Sequence, residues 1–242
     1  MEQTLNLLSI VVPAKNESKN LEFILPILKR YSDDIIVVDG HSNDNTKFQC
    51  EINKVRFVLD NKLGKGDAQR VGANLVKNNI IIFFDSDGSH DHEDIKILYN
   101  KIYNDDADLV ICSRKQGGSY DLTSNTSFIG FVRSAGCDFL SLIFNKIFKT
   151  KFSDILYSLR AIKKDKFLEI GTTENGFGIE IDILIKSIKK NLNIIEIPSR
   201  EKSRVYGKSK LNTIVGLYFI FQILRSSIFW SFQKFIKRCF KN

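Results

Sequence analysis

The sequence has few of the residues that build disulfide-linked, zinc-binding or disordered proteins. Its 242 residues include 3 Pro, 14 Gly and 4 Cys, and 43% of them are hydrophobic. This composition excludes a collagen-like or disordered chain and predicts a globular domain with a sizeable core. The cysteines stand far apart, without a C-x-x-C pair or the His spacing of a zinc site, so we expect reduced thiols in a cytosolic protein. They are Cys50, Cys112, Cys137 and Cys239.

A targeting segment and two common nucleotide-binding motifs are absent as well. An acidic residue stands second, and the apolar run from Leu5 to Val12 ends at Pro13. This does not resemble a signal peptide, so we expect the chain to start in the cytoplasm. No G-x-G-x-x-G follows the first apolar run, and the segment NKLGKG at 61–66 lacks the spacing of a P-loop. A Rossmann dehydrogenase and a P-loop ATPase are therefore disfavoured.

Positive charge is concentrated near the C-terminus. The formal net charge is +8, and residues 186–242 carry 13 Lys and Arg against only Glu196 and Glu201. A basic tail of this kind can contact RNA, a polyphosphate or an anionic membrane surface. The arrangement of the apolar and aromatic residues between these charges distinguishes among the three partners.

Short apolar runs alternate with helical segments, which predicts an α/β fold with a mostly parallel central sheet flanked by helices. Runs such as IIVV and IIIFF are typical of strands that are buried on both faces. The predicted strands are Leu7–Val12, Asp34–Val38, Val55–Leu59, Ile80–Phe84, Leu109–Ser113, Ile155–Ile162 and Asn193–Ile197. The predicted helices, several capped by an initial Ser or Asp, are Ser18–Tyr31, Asp44–Ile52, Asp67–Lys77, Asp91–Asn104, 128–149, 163–169 and 176–190.

Carboxylates follow three of the predicted strands, at the edge where open α/β sheets bind their ligands. The most specific local feature is Asp85-Ser86-Asp87, directly after the fourth strand. Two carboxylates one residue apart can hold a hard divalent cation, which in turn neutralises a diphosphate. His90 and His92 are weaker candidate ligands because Mg²⁺ and Mn²⁺ prefer oxygen.

Eight motifs follow one another in an order and spacing that resemble a known family. They are LSIVVPAKNE, DIIVVDGHSNDNT, LGKG, IIFFDSDGSH, LVICSR, FSDILYSLRAI, GIEIDILIKS and RVYGKSK, and they cover about residues 7–212. The set resembles the family-2 glycosyltransferases, in particular the branch of dolichyl-phosphate mannose synthases and polyprenyl-phosphate glucosyltransferases. The resemblance implies a glycosyltransferase A-type (GT-A) fold, a donor of the GDP-mannose or UDP-glucose type, Mg²⁺ or Mn²⁺, and inversion at the anomeric carbon.

The resemblance also implies roles for residues on the donor side. Pro13, Glu17 and Asp39 would hold the nucleoside, and Asp85 and Asp87 would hold the metal and the diphosphate. Where relatives often read VDDGS, this chain has VDGHS at 38–42, so the nucleobase preference cannot be transferred.

Further roles are implied around the phosphates. Arg114 would approach them, and Asp154 would face the donor sugar or the metal. Arg204 and Lys210 would close on the donor and acceptor phosphates. Lys65 either touches the diphosphate or lies in a flexible turn before a helix.

The acceptor side matches the family less well. The helix before Ser134 is often doubly basic in relatives, whereas this chain offers only Arg133. Glu180 is a weaker candidate, because it could simply anchor a core arginine such as Arg160.

The cationic residues in these motifs favour a phosphate acceptor. A lipid phosphate is already ionised at neutral pH, so its attack needs positioning and charge neutralisation more than a general base. A sugar hydroxyl would need a carboxylate within reach of its proton, and Asp154 keeps that alternative open.

The tail contains a membrane-seeking segment. Residues 213–224 are almost wholly apolar, and beyond them aromatic and cationic residues segregate to opposite helix faces. We therefore predict a catalytic domain at 1–210 and an amphipathic helix at 211–242 that lies on the membrane. A helix packed on the domain or forming a dimer is the alternative.

These features together predict an enzyme at the cytoplasmic membrane face that moves a hexose from a nucleotide-diphosphate sugar to polyprenyl or dolichyl phosphate. The alternative within the same class is a transferase to a saccharide hydroxyl. A non-catalytic adaptor that binds RNA or membranes is disfavoured, since RNA stacking needs aromatics interleaved with the cations. We expect no nucleic-acid partner, and the oligomeric state is not predicted.

Overall fold

A seven-stranded sheet forms the centre of the molecule. The computed structural model describes residues 5–104, 106–118, 128–207 and 215–227. The strands are β1 (Leu8–Ala14), β2 (Asp34–Asp39), β3 (Arg56–Leu59), β4 (Ile80–Phe83), β5 (Leu109–Ser113), β6 (Arg160–Lys163) and β7 (Ile194–Pro198). Their order in the sheet is β3-β2-β1-β4-β6-β5-β7. β6 runs antiparallel to β4 and β5, and the other neighbouring pairs are parallel, which confirms the predicted mostly parallel sheet.

Helices cover both faces of this sheet. They are α1 (Ser18–Leu28), α2 (Thr46–Ile52), α3 (Lys65–Leu75), α4 (Asp94–Tyr103), α5 (Phe128–Phe148), α6 (Lys164–Ile170), α7 (Ile179–Lys189) and α8, residues 215–227. Successive residues of β1 show the two faces, since Ile10 and Val12 join one apolar core while Val11 joins the other. All three are fully buried, and each contributes roughly 1.5–3 kcal/mol through burial.

The strand register brings the polar strand ends to one edge of the sheet. Pro13 pairs with Val38 and Ala14 with Asp39, so β1 and β2 end side by side. Val11 pairs with Phe83, which places the loop after β4 at the same edge. The segments that carry the predicted donor-binding residues are therefore neighbours, as the parallel strand order requires.

Gly72 lets α3 lie directly against the sheet. A Cβ atom at this position would meet Cγ1 of Val11 at 2.4 Å and Cγ2 of Val38 at 3.1 Å. Both partners are buried and branched, so neither can move aside without disturbing the core.

We expect Gly72→Ala to destabilise the fold by about 1–3 kcal/mol, because the added methyl group overpacks the contact between α3 and β1. Gly136→Ala in α5 is the matched control, since a Cβ there meets nothing within 4 Å. Urea unfolding of both variants measures the difference. Equal unfolding free energies for the two variants would contradict this account of the packing.

Two local predictions need correction. β6 is shorter than predicted, because residues 155–159 form no strand and only 160–163 pair with β4 and β5. The start of the second helix also differs from the prediction: α2 begins at Thr46, and Asp44, two residues before it, accepts hydrogen bonds from the backbone N–H of Thr46 and from that of Ser18 at the start of α1. Asp67 lies inside α3 and accepts bonds from Asn61.

Helix α8 packs on the domain through one face and exposes another. Phe219 and Ile223 are buried in the same core as α5, and the Gln222 side-chain amide donates to the carbonyl of Gly178 at 2.9 Å. On the opposite side, Leu217 is 70% and Phe221 is 59% exposed. Within the part of the chain that the structure describes, no helix is long and apolar enough to cross a membrane. The predicted amphipathic stretch after residue 227 lies outside the described residues, and the division at 210/211 stays a prediction.

Candidate active site

Asp85, the first carboxylate after β4, is held by a lysine from α3 and a serine before β6. The Lys65 ammonium lies 2.8 Å from Oδ1 of Asp85, and the hydroxyl of Ser158 donates to Oδ2 at 2.6 Å. Burial by itself would raise the pKa of Asp85, but the Lys65 charge and the hydrogen bonds from Lys65 and Ser158 act together to keep that pKa well below the usual range. Asp85 is therefore a fixed anion with its position set by two neighbours.

Buried His90 completes a chain of hydrogen bonds behind Asp85. Its Nδ1 accepts from the backbone N–H of Asp85 at 3.2 Å, so the ring proton is on Nε2, 3.0 Å from the Ser158 hydroxyl. Burial lowers the pKa of His90, which favours this neutral form. His90 thus orients Ser158 and, through it, the carboxylate of Asp85.

Asp87, the second carboxylate of the loop, pairs with an arginine that is distant in sequence. Its Oδ1 accepts from the backbone N–H of Ser89 at 2.9 Å, and its Oδ2 lies 2.7 Å from Nη2 of Arg204. The backbone bond fixes the direction of the carboxylate, whereas the arginine is 31% exposed and comes from the segment after β7. The structure thus brings together two residues that were predicted to act on the metal and the phosphates.

Arg114, at the end of β5, is clamped by two acids. Its Nε and Nη2 bind Asp154 at 2.7 and 3.1 Å, and its Nη1 lies 3.1 Å from Oε2 of Glu201. Its guanidinium also lies over the ring of Tyr157, 5.1 Å from the centroid. Burial alone would lower the pKa of Arg114, but the carboxylates of Asp154 and Glu201 together raise that pKa well above the usual value.

Asp154 uses both of its oxygens within the protein. Besides Arg114, it accepts from the backbone N–H groups of Leu156 and Tyr157, each at 3.2 Å. Burial would raise its pKa, but Arg114 and these amides hold the pKa below the usual value. A buried carboxylate with these partners is a poor proton acceptor and a strong anchor for Arg114.

The ends of β1 and β2 form a second polar region. Asp39 accepts from the backbone of Ser42 at 2.8 Å and also from its hydroxyl. Glu17 accepts from the Asn20 side chain at 2.6 Å, and Pro13 lies in β1 beside Val38. A cavity of about 510 Å³ opens beside Asp39; its lining includes Asp44, Lys47, Phe57 and Lys62.

The carboxylates at the site suit a divalent ion that is shared with a substrate. Among the described residues, no group of three or more His, Cys, Asp and Glu side chains could hold a metal by itself. Mg²⁺ in particular is commonly bound by one or two carboxylates together with substrate phosphates and water. Asp85 and Asp87 fit that pattern, since both offer hard oxygen atoms in one loop.

The structure describes the side chain of one of the three predicted acceptor residues. Arg133 lies in α5, but its side chain is outside the described residues, and so is Lys210. Ser134 is half-buried in the same helix. Their predicted role on the acceptor phosphate stays a prediction.

Sequence reasoning missed several supporting residues. Ser158 lies in the FSDILYSLRAI motif without a predicted role, and Glu201 lies outside the motifs; their partners are 73 and 87 residues away in the chain. Glu180 differs from the suggested role: Arg160 donates to its backbone carbonyl, while its carboxylate lies 3.0 Å from Nζ of Lys65. Glu180 therefore faces the site and contacts the same lysine as Asp85.

The fold and the site define a transferase of the GT-A class, with a carboxylate pair and several cations at the carboxyl edge of its sheet. Residues 9–168 match the model of glycosyl transferase family 2, and the chain belongs to that family.

Several relatives carry related sequences. The chain is 25% identical over 203 residues to the glycosyltransferase AglJ of Haloferax volcanii, covering 82% of this chain and 64% of AglJ. It is 33% identical over 184 residues to the glycosyltransferase GlyG of Streptococcus pneumoniae, covering 68% of this chain and 59% of GlyG. An uncharacterised protein of Methanocaldococcus jannaschii is 28% identical over 229 residues; the match covers 91% of this chain and 92% of that protein. The chain thus spans less than two thirds of the two named relatives.

Solved structures confirm the predicted fold. A glucosyl-3-phosphoglycerate synthase from Mycobacterium tuberculosis, crystallised with UDP, superposes with a TM-score of 0.68 at 19% identity, covering 91% of this chain and 79% of that one. The same enzyme with Mn²⁺, UDP-glucose and phosphoglyceric acid gives 0.68 with the same coverage. The GT-A architecture is therefore shared, although the sequences have diverged widely.

Proposed function

We propose that this protein is an inverting hexosyltransferase that uses a nucleotide-diphosphate sugar and a divalent cation and delivers the sugar to a polyprenyl or dolichyl phosphate. The observation that carries the proposal is the state of Asp154, whose oxygens bind Arg114 and backbone amides. The candidate base is thus used to hold a cation. A site built from anchored cations suits an acceptor that is already ionised.

The donor side of the proposal rests on the loop after β4. Mg²⁺ or Mn²⁺ would be held by Asp85 and Asp87 and would neutralise charge on the leaving diphosphate. Lys65 is placed beside Asp85 to add a second positive charge. The support from solved structures is that glucosyl-3-phosphoglycerate synthase, a protein of the same fold, was crystallised with Mn²⁺ and UDP. Asp39 and the cavity beside it are the proposed place of the nucleoside.

The part of the proposal that concerns the acceptor rests on Arg114 and Arg204. In one displacement, a phosphate oxygen would form the bond to the anomeric carbon while the bond to the donor diphosphate breaks, which inverts that carbon. No proton has to leave the attacking oxygen. Arg114 and Arg204 would orient the charged reactants and balance their repulsion, which is the main requirement of such a step.

A panel of donors and acceptors tests this proposal. Purified full-length chain is incubated with GDP-mannose, UDP-glucose and related donors, with Mg²⁺ or Mn²⁺ and either a polyprenyl phosphate or a neutral oligosaccharide. We expect product on the lipid phosphate that depends on the metal. Product on the oligosaccharide alone would overturn the lipid-phosphate acceptor in favour of a saccharide hydroxyl.

The membrane is the second part of the proposal. We propose that the chain works at the cytoplasmic membrane face and contacts it through its C-terminal region. An exposed apolar face of α8 supports the membrane contact. It consists of Leu217, Phe221 and Leu224, which stand at i, i+4 and i+7 of the helix. Such a face would place the site close to a lipid-linked acceptor.

We expect full-length protein to float with anionic liposomes and a chain truncated after residue 212 to stay at the bottom of the gradient. The apolar face and the basic residues after it would both be missing from the truncated chain. The triple variant Leu217→Ser, Phe221→Ser and Leu224→Ser, which keeps the charges, is the control for electrostatic binding alone. If all three proteins float equally, the C-terminal region does not supply the membrane contact.

A further inference from the structure

The segment after β7, which we call the strap (Ser199–Gly207), crosses the candidate site. Its backbone is attached at three points: Ser199 N–H donates to the carbonyl of Ser113 at 2.9 Å, Lys202 N–H to the carbonyl of Ser89 at 2.7 Å, and Tyr206 N–H to Asn20 at 3.1 Å. These partners belong to β5, the loop after β4 and α1. The strap therefore runs over the motifs that were predicted to bind both substrates.

Glu201 of the strap lies where a phosphate would meet Arg114. Asp154 fixes Nε and Nη2 of Arg114, so Nη1 is the group turned toward other ligands, and Glu201 lies 3.1 Å from it. A carboxylate and a phosphate oxygen bind guanidinium groups with the same geometry. Glu201 thus has the charge and the position of an anionic ligand.

Part of the strap is held by contacts that are exposed to solvent. Glu201 is 29% exposed and Lys202, which pairs with Asp91, is 54% exposed. An ion pair as exposed as Lys202–Asp91 typically contributes no more than about 1 kcal/mol. The ring of Tyr206 stacks on Phe23 at the surface, and residues 203–207 form no helix or strand. Substrate binding has enough free energy to displace such contacts.

We propose that Glu201 is a built-in competitor for the phosphate group of a substrate at Arg114, so that the strap must release Arg114 before that phosphate binds. The inference rests on the proposed function, because it assumes a phosphate-bearing substrate at this arginine. The measured affinity for that substrate is then lower than the intrinsic affinity, by the fraction of molecules in which Arg114 is released. The phosphate can belong to the donor diphosphate or to the lipid acceptor.

Calorimetric titration of the full-length chain tests the proposal with two probes, inorganic pyrophosphate for the donor and farnesyl phosphate for the lipid acceptor. We expect Glu201→Gln to bind at least one probe three- to tenfold more tightly than the wild type, equal to about 0.7–1.4 kcal/mol. The probe that gains identifies the substrate at Arg114. Glu201→Ala repeats the test without a polar side chain, and thermal melting in parallel checks that both variants fold.

Lys202→Gln is the matched control, since it removes the neighbouring charge of the strap but leaves Glu201 on Arg114. We expect its affinities to stay within twofold of the wild type. Unchanged affinities in Glu201→Gln, or equal gains in Glu201→Gln and Lys202→Gln, would overturn the proposal. The proposed function fails separately: a chain that transfers no hexose to lipid phosphate can still show tighter anion binding in Glu201→Gln, and the reverse can also occur.

Discussion

Asp87→Asn is expected to fold normally and to lose hexose transfer by about 10²–10³-fold in kcat/KM, the range found when one preorganised charge-stabilising group is removed. The amide oxygen of asparagine can still accept the backbone bond from Ser89, which keeps the loop in place. A neutral amide is a poor substitute for a carboxylate that holds a cation against a leaving diphosphate. Mn²⁺ affinity, measured by calorimetry, should fall in the same variant.

Asp91→Asn is the control for Asp87→Asn. Asp91 lies in the same loop, but its carboxylate pairs with Lys202 in the strap. We expect its transfer activity to stay within about twofold of the wild type, because an exposed ion pair contributes little. Transfer by the wild type in excess EDTA, or full activity of Asp87→Asn, would refute the metal assignment.

Arg204→Ala is expected to reduce transfer strongly while it strengthens Mn²⁺ binding. Nη2 of Arg204 lies 2.7 Å from Oδ2 of Asp87, so a cation that binds this oxygen competes with the arginine. Removing the arginine frees the carboxylate, but it also removes the planar fork that would clamp a phosphate during transfer. We expect a loss of about 10²-fold in kcat/KM and a gain of a few-fold in Mn²⁺ affinity, with a melting temperature close to that of the wild type.

Two further variants separate charge from geometry at this position. Arg204→Lys keeps the charge without the fork, and we expect it to recover only part of the rate. Arg200→Ala removes an exposed arginine of the same strap and should change neither the rate nor the metal affinity. A wild-type kcat/KM for Arg204→Ala would remove the residue from the site and weaken the phosphate-acceptor proposal.

Local periodicity was sufficient to predict most of the elements. The runs IIVV and IIIFF became β2 and β4, and both strands are buried on both faces because helices cover the sheet on each side. The predictions are less accurate at positions where contacts with other segments determine whether a residue belongs to a strand. β6 begins at Arg160 and not near Ile155, because pairing with β4 and β5 begins only there.

The partners of the predicted site residues could not be predicted in the same way. Asp85 was placed by its motif, but nothing near it in the chain points to Ser158. Likewise, the motif predicts that Asp154 faces the donor sugar or the metal, and the structure shows that it holds Arg114. The partner of a side chain depends on which groups are close to it in the folded state. The contacts Arg114–Asp154 and Ser158–Asp85 join residues that are 40 and 73 positions apart in the chain.

The sequence by itself determined the α/β class, the strand ends that carry the polar residues, and membership in a family with these motifs. These follow from periodicity and from short-range order, which a linear pattern records. The tertiary structure alone decided that Arg204 lies on Asp87 and Glu201 on Arg114. The reason is physical: the strap joins the site from β7, and the position of β7 beside β5 is fixed by sheet pairing between segments that are more than 80 residues apart.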